Sequence, residues 1–220
     1  MNWDWIPRNT DLVLRLTVEH LVLALIPVVL GLVIAIPLGW YAGRTPRARS
    51  VLITATGVLY TVPSLALIVV LPLVLGTQIL NPLNVVIALT SYTVALLVRS
   101  VVDALDAVPD GVVAAATAMG YKPLRRFVAV ELPLAVPVVV AGLRVAAVSN
   151  TDMVTVGALV GLGGLGQLFT EGFQRDIPAE IITGIVLVLV LALFLDAVLL
   201  AFGRAVTPWT RVGANAGRPA

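Results

Sequence analysis

The chain has no cysteine, one histidine and one lysine, and Asp, Glu, Lys and Arg together make up only 12% of its 220 residues. Without cysteine there are no disulfides, no zinc–thiolate sites and no thiol catalysis. The lone His20 has no second histidine with which to share a metal, and its place at the edge of an apolar run suits an interfacial hydrogen-bonding residue. Lys122 is followed by Pro123, so no Gly-x-x-x-x-Gly-Lys-Ser/Thr loop can cradle ATP phosphates. Nucleic-acid binding is excluded as well, because no basic patch carries interleaved aromatics.

What is abundant is apolar: 60% of residues are hydrophobic and the mean hydropathy is +1.05. A soluble domain needs roughly a quarter of its residues charged to cover its surface, whereas a bilayer accepts apolar side chains on the outside of a fold. Lipid is the expected solvent. Residues 21–43 contain no Asp, Glu, Lys, Arg or His, and neither do residues 50–98. At about 20 residues per crossing, the first run holds one helix and the second holds two. Gly76-Thr77-Gln78 and Asn81-Pro82-Leu83-Asn84 form the turn inside the second run. Further apolar stretches span residues 132–159, interrupted by Arg144 and Asp152, and residues 181–202, interrupted by Asp196. The expectation is an all-α membrane protein with about five transmembrane helices, an interfacial segment at residues 1–20, a core at 21–208 and a tail at 209–220. The first run is too long for a signal-peptide core and no cleavage site follows it, so it reads as retained.

Basic residues set the orientation. Arg44, Arg47, Arg49, Arg99, Lys122, Arg125, Arg126, Arg204, Arg211 and Arg218 fall on one side; the other has Arg8, Arg15 and Arg175. The N-terminus is therefore expected outside and the C-terminus in the cytoplasm. Trp3, Trp5, Trp40 and Trp209 all fall near span ends, as an interfacial belt requires.

Residues 103–131 make the one sizeable cytoplasmic feature. Its alanine-rich core is expected to form a helix with Asp110 as N-cap and Gly120 as the C-terminal stop. Pro123 then opens a second helical stretch over residues 124–130, expected to end before Leu132-Pro133.

Ala114-Ala115-Ala116, Gly120, and Val130-Glu131-Leu132-Pro133 resemble the cytoplasmic Glu-Ala-Ala loop of permease subunits of bacterial ABC importers. The family pattern is Glu-Ala-Ala, three residues, Gly, nine residues, Ile-x-Leu-Pro. The spacing is kept, with Ala114 in the place of Glu and Val130 in that of Ile. Together with Thr61-Val62-Pro63-Ser64-Leu65-Ala66-Leu67 and Gly161-Leu162-Gly163-Gly164-Leu165-Gly166, the chain is similar to the osmoprotectant branch, permeases for glycine betaine, carnitine, choline and related quaternary amines.

The resemblance implies a type I importer permease of the bacterial inner membrane that is not itself an enzyme. Its expected partners are a second permease, a cytoplasmic ATPase dimer carrying ATP-Mg, and an extracytoplasmic solute-binding protein. The chain itself holds no cofactor. Residues 111–130 would couple it to the ATPase, with Lys122, Arg125 and Arg126 flanking the partner's groove or the lipid headgroups. Ergothioneine and methionine remain open as solutes. A stand-alone secondary carrier is the other class, but inverted repeats and more spans would be expected of one. Gly161, Gly163 and Gly166 also fit Gly-x-Gly-x-x-Gly, yet a transmembrane helix precedes them where a nucleotide fold needs a strand. Glycines there suit close packing or a re-entrant segment at the outer mouth, and Gly163 and Gly164 are candidate pathway residues.

Charges at bilayer depth are costly and tend to face a cavity or a partner. Asp152, in the outer half, is placed to attract a cationic solute, and Tyr60, Tyr92 and Trp40 offer faces for cation–π contact. The alternative is that Asp152 and Arg144 bond to neighbouring helices and the aromatics are packing or belt residues. Among the prolines within spans, Pro63 with Ser64 is the expected gate or bend.

Overall fold

A computed structural model describes residues 3–209. Every element is helical: α1 (Trp5–Arg8), α2 (Thr10–Ala42), α3 (Pro46–Thr61), α4 (Ser64–Leu75), α5 (Pro82–Asp106), α6 (Asp110–Ala118), α7 (Pro123–Arg126), a π-helical segment (Phe127–Glu131), α8 (Leu132–Gly157), a 3-10 turn (Ala158–Val160), α9 (Gln167–Gln174) and α10 (Pro178–Val206).

Four continuous helical stretches are long and apolar enough to cross a membrane, and α3 with α4, which meet at a 100° bend, supply a fifth if the bent pair is one span. The bend falls at Val62-Pro63, where both residues are extended. A residue before proline avoids the α region and proline has no N–H to donate, so the helix stops there. Pro27, Pro37, Pro72 and Pro137 lie within helices that continue through them.

Local signals explain most boundaries. The Thr45 hydroxyl accepts the Ala48 N–H and Pro46 opens α3, while Asn81 accepts the Leu83 N–H and Pro82 opens α5. Gly76 ends α4 in the left-handed region. Buried Asn84 then closes the turn, donating to the Gln78 carbonyl at 2.9 Å and accepting from the Thr77 hydroxyl at 2.6 Å.

Helix α5 is central, packed by α2, α3, α4 and α8. Its close approach to α2 uses Gly39, where a Cβ would stand 2.7 Å from the Cβ of Val101. A polar knot sits inside: the Asn150 amide of α8 donates to the Thr93 hydroxyl of α5 at 2.9 Å and to the Ala24 carbonyl of α2 at 3.4 Å. Helix α10 is peripheral and packs on α8 and α9. Its outer face exposes Ile185, Leu189, Leu193 and Phe194, a surface suited to lipid.

Three expectations are corrected. Residues 10–20 do not belong to a separate segment: α2 starts at Thr10 and runs unbroken through His20, because Leu12, Val13 and Leu16 pack on Leu165, Leu168, Leu191 and Leu195. Asp110 is the first residue of α6, not its cap; Pro109 takes that position and no side chain caps the helix. The chain does not stop before Leu132-Pro133 but continues through the π-helical segment into α8. Widening to i+5 bonding there relieves the carbonyl that the Pro133 ring would crowd and that no proline N–H can meet. Of the expected tail, residues 210–220, with Arg211 and Arg218, lie outside the described residues.

Candidate functional site

Residues 110–131 form a compact corner. Helix α6 ends at Ala118 with Met119 as its C-cap, and Gly120 follows at φ +84°, a conformation that a side-chain-bearing residue adopts at a cost. The Gly120 N–H donates to the Thr117 carbonyl at 2.9 Å and the Tyr121 N–H to the Ala116 carbonyl at 3.2 Å. These are the two bonds of a Schellman stop. Arg126 locks the far side, its Nε 2.5 Å from Glu131 and its Nη1 2.8 Å from the Thr117 hydroxyl. The Arg125 guanidinium lies 5.1 Å from the Tyr121 ring centre.

Of the motif residues, Ala116 is buried and Leu132 and Pro133 are half-buried. Ala114, Ala115, Gly120, Lys122, Pro123 and Arg125 face outward, joined by exposed Met119 and Leu124. At the same end, Trp40 meets the Phe127 ring at 5.2 Å, and Arg44 lies 4.2 Å from the Trp40 centre. Arg49 bonds to Asp106 through both of its terminal nitrogens. The ring face that Trp40 was expected to offer a solute is thus taken by this chain's own Arg44.

A second cluster surrounds the bend. Tyr92 donates its hydroxyl to the carbonyl of Val62, and the Tyr60 ring meets Tyr92 edge-on at 5.9 Å. Tyr60, Pro63, Ser64 and Tyr92 are therefore neighbours, with Tyr60 and Pro63 exposed. Asp152 is exposed on α8, seven residues beyond Val145 and so on the same helix face. It makes no hydrogen bond or ion pair among the described residues. Arg144 does bond to a neighbouring helix: its Nε and Nη2 donate to Asp196 at 2.8 and 2.7 Å.

Gly163 and Gly164 do not join that cluster. They hold left-handed φ values of +57° and +71° against the start of α2, where a Cβ on Gly163 would strike the Glu19 carboxylate. His20 beside them is fully buried, its Nδ1 accepting the Leu165 N–H at 3.1 Å and its Nε2 donating to the Thr151 carbonyl at 3.0 Å. Both nitrogens are occupied within the chain.

The chain carries no strand among the described residues, and its helical order matches a transport fold. Residues 35–212 match the family described as binding-protein-dependent transport system inner membrane component. The chain belongs to this family. The permease is 31% identical over 205 residues to the choline transport system permease protein OpuBB of Bacillus subtilis, covering 93% of each chain. It is 32% identical over 203 residues to the osmoprotectant import permease protein OsmW of Salmonella typhimurium, covering 91% and 94%. In structure it superimposes on the inward-facing methionine ABC transporter MetNI with TM-score 0.80 and 26% identity, over 90% of this chain and 97% of that one. The permease is a multi-pass protein of the inner membrane with the type I importer fold.

Sequence reasoning missed the partnership of Arg144 with Asp196, helix α9, and the two charged residues Arg99 and Asp103 that border a cavity near Tyr60. Arg99 and Asp103 were legible as one helical turn of spacing; the first two had no local signal.

Proposed function

We propose that this permease is the membrane-spanning half of an ATP-driven importer for a quaternary-amine osmoprotectant such as glycine betaine, choline, carnitine or proline betaine. The observation that carries the reading is the rigid corner at Gly120, which presents Ala114, Ala115, Met119 and Leu124 outward at the basic end of the bundle. Small and apolar groups on a fixed lever suit insertion into a groove of a cytoplasmic ATPase, whose hydrolysis of ATP-Mg would switch the permease between outward and inward states. The basic end is the cytoplasmic one by the positive-inside rule, which puts Gly163, Gly164 and α9 at the outer mouth, toward a solute-binding protein. Two copies, or this chain with a paralogue, would enclose the path. The solute class is supported by the names of the relatives and by exposed Tyr60, which Tyr92 braces, together with exposed Asp152, groups that attract a quaternary ammonium. Pro63 and Ser64 hold the bend beside that path.

The test is reconstitution of the permease in vesicles with its ATPase and binding protein, followed by uptake of labelled glycine betaine and choline. Uptake should require ATP. It should fall with loss of the bound ATPase on Gly120→Asp. Full uptake without any ATPase would instead point to a stand-alone carrier.

A further inference from the structure

A cavity of 430 Å³ opens between α3, α5 and α8, within the range of small-molecule sites. Gly57 and Gly142 line it. Gly57 has nothing within 4 Å of where a Cβ would stand, and Gly142 lets α8 close on Ser100. The hydroxyls on its wall are spoken for, since Thr56 bonds to the Leu52 and Ile53 carbonyls and Ser100 to that of Leu96. The polar groups left to face the space are Tyr60, Arg99 and Asp103. The exposed Arg99 guanidinium makes no hydrogen bond or ion pair among the described residues.

The order of these groups along the helices is specific. Tyr92, in edge contact with Tyr60, precedes Arg99 by seven residues on α5, about 10 Å along the same face. Tyr60, backed edge-on by the buried Tyr92, at one end and the Arg99 guanidinium at the other make a two-ended receptor. The Tyr60 ring accepts a quaternary ammonium and the guanidinium binds a carboxylate. Farther from Arg99, on the α8 face that lines the cavity, stands Asp152, an acidic group for the cationic end.

We propose that this cavity is a transient subsite for a small zwitterion, with Arg99 reading its carboxylate and Tyr60 its ammonium, so that the permease itself favours betaines over choline. This rests on the function proposed above. It assigns to the permease a selectivity step separate from that of any binding protein.

The chain's lack of cysteine makes a site-specific test clean. Gly57→Cys is introduced, the permease–ATPase complex is purified without binding protein, and modification by a charged methanethiosulfonate reagent is timed with glycine betaine or choline present. Occupancy at twice the dissociation constant should slow modification about threefold. Glycine betaine should protect more strongly than choline, and adding Arg99→Gln should weaken betaine protection about tenfold. If that variant fails to assemble, Arg99→Lys decides: weaker protection supports the site and unchanged protection overturns it. Equal protection by both solutes overturns the carboxylate reading. No protection by either, in a permease whose full complex imports betaine, overturns the subsite and leaves the transport function standing. A full complex that imports none of these solutes is instead the failure of the function.

Discussion

The Nδ1 of His20 accepts the backbone N–H of Leu165 at 3.1 Å, which puts the ring proton on Nε2, where it is donated to the Thr151 carbonyl at 3.0 Å. One neutral side chain thereby ties α2 to α8 and to the glycine-rich loop. His20→Ala would leave the Leu165 N–H buried and unpaired, at about 1–3 kcal/mol. His20→Asn should recover part of the loss, because its amide oxygen stands where Nδ1 does. Thermal denaturation of the detergent-extracted permease checks the order wild type, Asn, Ala. Equal melting of all three would mean that the bond contributes nothing.

The Arg144–Asp196 pair joins α8 to the peripheral α10 through two parallel bonds. Both side chains are about one-third exposed on a surface suited to lipid, at 31% and 33%. Arg144→Leu or Asp196→Leu alone strands a charge in an apolar setting, whereas the double change removes both. Each single variant should reduce the yield of folded permease more than the double variant does. Additive losses, measured by fluorescence size-exclusion after extraction, would remove the coupling.

How much of this was legible in sequence follows from the range of each signal. Span positions depend on run length, and the break at Val62-Pro63 on an X-Pro steric rule, so both are local and could be read. The start of α2 could not, since Leu12 and Leu16 look like one face of an interfacial segment until Leu168 and Leu191 supply the packing. Arg144 and Asp196 are 52 residues apart, and no periodicity links them. The Gly120 stop was readable from one glycine after an alanine helix. The π-helical widening before Pro133 was not, because proline near a helix start reads as a boundary. For the site, Tyr60, Pro63, Ser64 and Tyr92 lie together, while Trp40, Gly163 and Gly164 lie elsewhere.

Tyr92 holds the bend by donating to the Val62 carbonyl. Tyr92→Phe keeps the ring against Tyr60 and deletes that bond alone, a loss of about 0.5–1.5 kcal/mol. ATP-driven uptake should slow while the assembled complex is still recovered in full. Unchanged uptake would show that the bend needs no pin.

Gly120 and Ala114 separate the shape of the proposed coupling corner from its chemistry. At Gly120 a Cβ meets nothing within 4 Å, so Gly120→Ala is opposed only by the backbone at φ +84°, about 1–2 kcal/mol. That local strain should loosen the corner and lower solute-stimulated ATP hydrolysis without unfolding the bundle. Ala114 is exposed in mid-helix, so Ala114→Glu, the residue the resembling permeases carry there, fits without repacking. Ala and Glu are both good helix formers. If the corner works by shape, Ala114→Glu leaves hydrolysis and uptake in step and Gly120→Ala uncouples them. Tighter ATPase retention with Ala114→Glu would instead assign the glutamate a contact that this permease does without.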